Sequence, residues 1–351
     1  MTALDILCDS IGELDEAAME LARVRQGELT KPPGSLGRLE ELSIQLAGIT
    51  RSLHPGIKNK AVIVMAGDHG VTAEGVSAYP SEVTPQMVLN FINGGAAINV
   101  LARLAGARVV VVDVGVAIPL EPHPDLIIHK VAPGTANMAQ TSAMTREQAA
   151  QAIAIGEEVV RAEIARGLDL VAAGDMGIGN TTPSAAITAG LTGAPVAEVV
   201  GRGTGVDDEG LARKITVVER ALEVNRPDPD DPFDVLTKVG GLEIGGLVGV
   251  ILGASAARVP VLIDGFISSA AGLVAAHLKP EVKGYLIASH LSEEVGHQVI
   301  LDSLGLRPLL NLGLRLGEGT GAVLAMHLVE AAARIPNEMA TFGEAGVTDR
   351  A

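Results

Sequence analysis

A chain of 351 residues, 48% of them hydrophobic, is long enough for a full α/β core plus a smaller lobe. Its apolar runs are broken by Gly, Pro or charge well short of the roughly 18 residues that a membrane span needs. A formal net charge of −16, no Trp and an aromatic content of 2% argue against nucleic acid as a partner, which calls for clustered Lys and Arg and for stacking rings.

A flat aromatic ligand would have to be held by aliphatic, Met and Gly surfaces. The acidic start MTALDILCDSIGELDE lacks the basic segment of a secretory signal. Cys8, the one cysteine, cannot form an internal disulfide, and a reducing cytoplasm is expected.

In chain order, residues 4–25 and 36–53 read as helices. Leu4, Ile6, Leu7, Ile11 and Leu14, then Met19 and Leu21, recur at roughly helical spacing, and Pro32, Pro33 and Gly34 separate the two segments. From 61 to 300 buried strands alternate with amphipathic helices. Five apolar runs carry the pattern: VIVMAGDHG at 62–70, VVVVDVG at 109–115, LVAAGDMGIGN at 170–180, VPVLIDGFIS at 259–268 and YLIASHLSEE at 285–294. Continuous apolar runs suit parallel strands covered on both faces. In such sheets the ligand sits beyond the carboxyl ends of the strands, so Asp68, Asp113, Asp175, Asp264 and Ser289 are expected to line one rim. Unrelated buried strands with ordinary polar turns are the alternative.

Helices are expected between the strands at 85–104, 145–166, 183–193, 208–224 and 241–256, with NRPDPDDPFD at 225–234 as a loop. Further helices are expected at 292–306 and 318–335. The fold class is then α/β, a doubly wound parallel sheet over 59–299. A small helical domain is assembled from 1–58 and 300–351.

Four motifs could carry chemistry. In GDMGIGNTTP at 174–183, three glycines follow a strand, and Thr182 is expected to cap a helix with Pro183 at its first position. Such a turn either exposes N–H groups to an anion or is simply tight; it matches neither GxGxxG nor a Walker A motif. GRGTGVDD at 201–208 precedes a helix with Arg213 and Lys214. It reads as a flexible connection or as a phosphate loop with Lys214 as the cation. In LLNLGLRLGEGTGA at 309–322, Glu318 stands between glycines after an aliphatic run. It is either a base with a raised pKa or the acidic start of the last helix. In HLSEEVGH at 290–297, His290, Glu294 and His297 fall at i, i+4 and i+7 of an expected helix. That spacing could ligate a divalent metal, but no further Cys or His cluster accompanies it, and a polar cleft rim is the other reading. His69 in GDHG reads as a hydrogen-bonding rim residue, Cys8 as a small core residue, and no nucleophile elbow is present.

KPPGSLGRLE at 31–40, AGDHGV at 66–71, GDMGIGNTTP, GRGTGVDD and LRLGEGTGA at 314–322 together resemble the nicotinate-nucleotide–dimethylbenzimidazole phosphoribosyltransferase family over nearly the whole chain. The resemblance implies a Rossmann-like domain, a small helical domain, a homodimer, and no metal or organic cofactor. The implied reaction moves a phosphoribosyl group from nicotinate mononucleotide to 5,6-dimethylbenzimidazole, in cobalamin lower-ligand synthesis. It maps the family's catalytic glutamate onto Glu318. The second acid falls on Asp175, where family members often carry the longer Glu. Phosphate and ribose contacts are implied at Gly177, Gly203, Lys214, Asp264 and Ser292. The benzimidazole slot is implied at Ser81, Met176, Leu316 and Gln86. A related transferase for another base and a non-catalytic nucleotide-binding module are the competing readings; the second has no evident use for a buried glutamate between glycines.

Overall fold

The computed structural model describes residues 2–348. Six strands form one parallel sheet: β1 Lys60–Gly67, β2 Ala107–Gly115, β3 Leu126–Ile128, β4 Leu170–Met176, β5 Val261–Ile263 and β6 Leu286–Ala288. Their order is β3-β2-β1-β4-β5-β6, the Rossmann-like doubly wound order, whose direction of winding reverses between β1 and β4. Two short strands, β7 His290–Ser292 and β8 Leu310–Leu314, pair in parallel as a second sheet.

The continuous apolar runs have a direct cause. Along β1, Ala61, Ile63 and Met65 enter one core while Val62, Val64 and Ala66 enter another. Both faces are therefore dry, and no position is left for a polar residue until the strand ends. On the first face, the helices Arg146–Ala165 and Leu242–Ala256 cross so closely that a Cβ on Gly249 would lie 1.9 Å from the Ile153 carbonyl oxygen. On the second face, the helices Ala97–Ala105 and Thr320–Glu338 cover the sheet.

Several expected elements differ in detail. The helix expected at 4–25 is two, Ala3–Asp9 and Glu16–Glu28, because Asp15 caps the second by accepting from the Ala18 N–H at 2.9 Å. The helix expected at 85–104 is also two, Val83–Ile92 and Ala97–Ala105. Val83–Ala105 is long and apolar enough to cross a membrane by composition, but Gly94 at φ +76° breaks it. Residues 292–306 begin as β7 and become helical only at Val295. The expected loop at 225–234 ends in a helix, Pro232–Val239, capped by Asp231. β3 and β8 are partly exposed, so neither carries the continuous apolar run of a strand buried on both faces.

The helices Glu16–Glu28 and Arg38–Thr50 pack on each other and on Thr320–Glu338, and Leu29 bridges to Thr341. Arg25 donates to the carbonyls of Pro336 and Met339, both at 3.2 Å. Of the small domain expected from 1–58 and 300–351, residues 1 and 349–351 lie outside the described residues.

Candidate active site

Asp113, Asp68, Asp175, Asp264 and Ser289 stand at the carboxyl ends of β2, β1, β4, β5 and β6, on one rim. Most of them tie loops down. Asp68 accepts from the Ala117 N–H and Asp113 from the Val116 N–H, both at 2.8 Å. Asp264 is fully buried and accepts from Ala322 N–H at 2.8 Å and Gly319 N–H at 3.2 Å, at the start of the helix Thr320–Glu338. Ser289 Oγ donates to the Asp264 carbonyl at 3.2 Å.

Asp175 is different. One side-chain amide, Asn180 Nδ2, reaches its Oδ2 at 2.9 Å, and Asp175 lines a cleft of about 310 Å³. Burial, then the nearby Asp264 carboxylate, pushes its pKa up to about 8. Asn180 also precedes the helix Thr181–Thr192, so Thr182 and Pro183 take its second and third positions. The expected Thr182 cap is corrected: the helix begins two residues earlier, and Asn180 spends its side chain on Asp175 rather than on the helix end.

Glu318 sits in a strap where three consecutive residues, Gly317, Glu318 and Gly319, have φ of +84°, +64° and +88°. A non-glycine residue held in this region carries local strain of about 1 kcal/mol or more, and it persists where its surroundings over-determine it. Those surroundings are close: a Cβ on Gly174 of β4 would lie 2.6 Å from the Glu318 carbonyl oxygen, and one on Gly319 would lie 2.6 Å from Val62 Cγ2. The Glu318 side chain is 5% exposed, and its Oε2 accepts from the Ile98 N–H at 3.2 Å. Burial raises its pKa, against the opposing hydrogen bond from Ile98. Both readings of Glu318 are thereby modified. It is a buried carboxylate with a raised pKa, and the helix end that steadies it is that of Ala97–Ala105, not its own.

The Gly203 loop lies across the cleft. Lys214 is fully buried beneath it and donates from Nζ to Thr181 Oγ1 at 2.8 Å. A Cβ on Gly203 would lie 3.0 Å from that Nζ, so loop and cation meet as expected. Burial lowers the Lys214 pKa to about 8, with Glu294 opposing. Ser292 and Leu316 line the same cleft, and Leu316 is 58% exposed there. Met176 ends β4 and Gly177 opens the turn after it. Ser81, hydrogen-bonded to Thr72 Oγ1 at 3.1 Å, and the exposed Gln86 do not line this cleft, nor do Glu318, Lys214, Met176, Gly177 and Asp264, all buried beside or beneath it.

The single helix face that the spacing of His290, Glu294 and His297 assumed does not form. His290 lies on β7, Glu294 precedes the helix Val295–Leu304, and His297 is inside it. Each has another partner: His290 pairs with Asp264 at 3.5 Å, and Glu294 accepts from the Gly203 N–H at 2.8 Å. His297 Nδ1 accepts from the Ser292 N–H at 3.0 Å, which leaves its Nε2 to donate to Ser269 Oγ at 2.9 Å. Burial, then His290, pushes the His297 pKa down to about 3, so the ring is neutral. Among the described residues, no group of three or more His, Cys, Asp or Glu is placed to hold a metal ion.

Three residues here were not singled out from the sequence. Arg315 Nη1 donates to the Gly203 carbonyl at 3.3 Å, and Tyr79, 55% exposed, lines the cleft mouth. Glu243 pairs with His69 at 2.8 Å. A lone acid in the apolar stretch VGGLEIGGLVGV was its visible signal.

Comparison with known proteins bears on the whole chain. A family profile described as phosphoribosyltransferase matches residues 11–347. The nicotinate-nucleotide–dimethylbenzimidazole phosphoribosyltransferase of Chloroflexus aurantiacus is 61% identical over 342 residues, 97% of each chain. The enzyme of the same name from a Roseiflexus species is 61% identical over 350 residues, 100% of this chain and 99% of its own. The crystal structure of the Thermus thermophilus enzyme of that name superposes with a TM-score of 0.92 at 52% identity, covering 96% of this chain and 100% of that one.

Proposed function

The chain belongs to the nicotinate-nucleotide–dimethylbenzimidazole phosphoribosyltransferase family, and on that premise we propose that it transfers the phosphoribosyl group of nicotinate mononucleotide to 5,6-dimethylbenzimidazole. The products are α-ribazole 5′-phosphate and nicotinate, for cobalamin lower-ligand synthesis. The observation that carries the mechanism is Glu318, a buried carboxylate with a raised pKa held in a strained strap beside β4.

The nicotinate nitrogen is a cationic pyridinium while bonded to C1′ and departs as a neutral pyridine with the bonding electron pair, so the leaving group needs no acid. The incoming benzimidazole must lose its N–H proton as the other nitrogen attacks. Glu318 takes that proton. Asp175, with a pKa near 8, carries its own proton at neutral pH and orients rather than abstracts. The 5′-phosphate meets the Gly203 loop with Lys214 behind it, and Gly177, Ser292 and Asp264 complete the phosphoribosyl side. Ser81, Met176 and Leu316, with Gln86 further out, hold the acceptor. Positioning both partners in line accounts for much of the rest of the barrier. Attack opposite the departing base turns a β-linked into an α-linked glycosidic bond. The same reading has the protein acting as a homodimer in a reducing cytoplasm, without a metal or organic cofactor.

The test is one incubation with nicotinate mononucleotide and dimethylbenzimidazole. Free nicotinate and α-ribazole phosphate should appear in equal amounts, and neither with one substrate alone. Nicotinate release that does not depend on the acceptor would point to hydrolysis and sink the proposal.

A further inference from the structure

The His69–Glu243 pair lies at the switch point between β1 and β4, and the transfer described above does not use it. Both side chains are buried, 1% and 0% exposed, with Nε2 and Oε1 2.8 Å apart. Glycines pack straight onto them. A Cβ on Gly241 would lie 2.6 Å from both Glu243 Oε2 and His69 Cε1, one on Gly67 3.2 Å from Glu243 Oε2, and one on Gly177 3.2 Å from His69 Nε2. Gly177 is two residues past Asp175, and β1 and β4 are in register with Met65 opposite Asp175. The pair is therefore seated against the turn that follows Asp175. His69 Nδ1, Glu243 Oε2 and Oδ1 of the adjoining Asp68 have no hydrogen-bond partner. Buried ion pairs are often no better for stability than apolar residues of the same volume, and one left partly unsatisfied is worse. Stability does not account for its presence.

The charged groups that act on Asp175 are all acids: Asp264 from the end of β5, Glu243 from the helix Leu242–Ala256 and Glu318 from the strap. Two of the three are balanced by a histidine, Asp264 by His290 and Glu243 by His69. We propose that His69 and Glu243 are positioning residues, which brace the Gly177 turn and set the charge state in which the Asp175 carboxyl meets the substrate. The role rests on the reading above, in which Asp175 faces the substrates. The Glu243 carboxylate makes Asp175 hold its proton more tightly, and His69 moderates that effect. For His69 itself, burial favours the neutral ring, but the Glu243 carboxylate and then Asp68 outweigh it, and the pKa is raised.

Glu243→Gln keeps the shape and removes the charge. The Asp175 titration, near 8 in the native protein, should move down by about 1 pH unit, the scale of losing one nearby charge. Glu243→Asp should restore most of it. His69→Gln leaves the Glu243 carboxylate unbalanced and should move the titration up. The readout is the carboxyl 13C shift of aspartate-labelled protein, with Asp175 assigned by its loss in Asp175→Asn, followed alongside the alkaline limb of the transfer rate. Opposite shifts from the two halves of the pair support the proposal. A Glu243→Gln protein that melts normally with Asp175 unmoved overturns it, as do shifts of the same sign in both variants. If Glu243→Gln does not fold, His69→Gln decides alone, and no upward shift is a refutation. Opposite carboxyl shifts in a protein that performs no transfer would leave the pair standing and reject the proposed reaction instead.

Discussion

Glu318 and Asp175 are both buried acids with raised pKa values, and their surroundings suit them to the different roles proposed above. Glu318 keeps a backbone N–H donor from Ile98, which favours its charged form, while Asp175 is surrounded by other carboxylates and has one neutral amide. Glu318→Gln should therefore lower turnover by at least about 100-fold, the lower end of general base catalysis, with little change in nicotinate mononucleotide affinity. The acid limb of the native rate profile, where Glu318 becomes protonated, should vanish from the residual activity. Asp175→Asn should cost less turnover. It should also stabilise the fold, because the folded pKa near 8 lies above the usual carboxylate value of 3.8. A raised acid contributes most below its unfolded pKa and loses that contribution as pH rises to 8, by about 1.4 kcal/mol per unit. The gain from Asp175→Asn, measured by denaturant melts, should thus be small at pH 4 and grow towards pH 8. A gain independent of pH would mean that Asp175 is ionised in the fold. Lys214→Ala should raise the Michaelis constant for nicotinate mononucleotide about 10- to 100-fold, the scale of one charge-assisted hydrogen bond. With its pKa near 8, native Lys214 loses its charge above that pH, so phosphate affinity should fall there and stay flat in the Ala variant.

At the scale of elements, glycine decides how closely parts approach. The strap that carries Glu318 lies on β4 because Gly174 has no side chain, and its turn closes because Gly317 and Gly319 accept positive φ. Gly174→Ala should push the strap outward and lower turnover more than it lowers thermal stability, since the displaced group is the proposed base. Equal loss of both would mean that the strap is only packing. Gly249 serves a purely structural contact, with the Ile153 carbonyl 1.9 Å from where its Cβ would be. Gly249→Ala should cost about 3 kcal/mol or more of stability, at or beyond the usual range for overpacking, and any folded remainder should turn over normally.

Over the whole molecule, the doubly wound order brings five strand ends to one rim and opens it between β1 and β4. Ligands bind at such a reversal because the adjoining loops diverge to opposite faces of the sheet. The acidic surface, with a net charge of −16, favours solubility and does not attract the anionic substrate. In the proposed reaction the cations that serve the phosphate must therefore be local, and Lys214 and Arg315 flank the Gly203 loop. Sedimentation should give about twice the chain mass of 35.9 kDa if the family's homodimer holds here; a monomer at micromolar concentration would reject that assignment. Activity should survive exhaustive chelation, whereas loss restored by one divalent ion would bring a metal into the mechanism.

The sequence alone was enough for the parallel sheet, the polar residues along its rim and the glycine-bracketed turns near it. These are local properties. A strand buried on both faces has to be apolar throughout, and a backbone that turns with positive φ has to use glycine nearly everywhere. The division of residues 4–25 and 85–104 into paired helices turned on Asp15 and Gly94, single residues whose effect is set by what the flanking helices pack against. The His290, Glu294 and His297 spacing assumed a helix that the pairing of β7 with β8 replaced. The partnership of His69 with Glu243, separated by 174 residues, and the donor that Ile98 offers to Glu318 are set by where the chain returns. Only the tertiary structure could decide them, because burial and the sum of neighbouring charges, which shift a carboxylate's pKa, do not exist until distant segments meet.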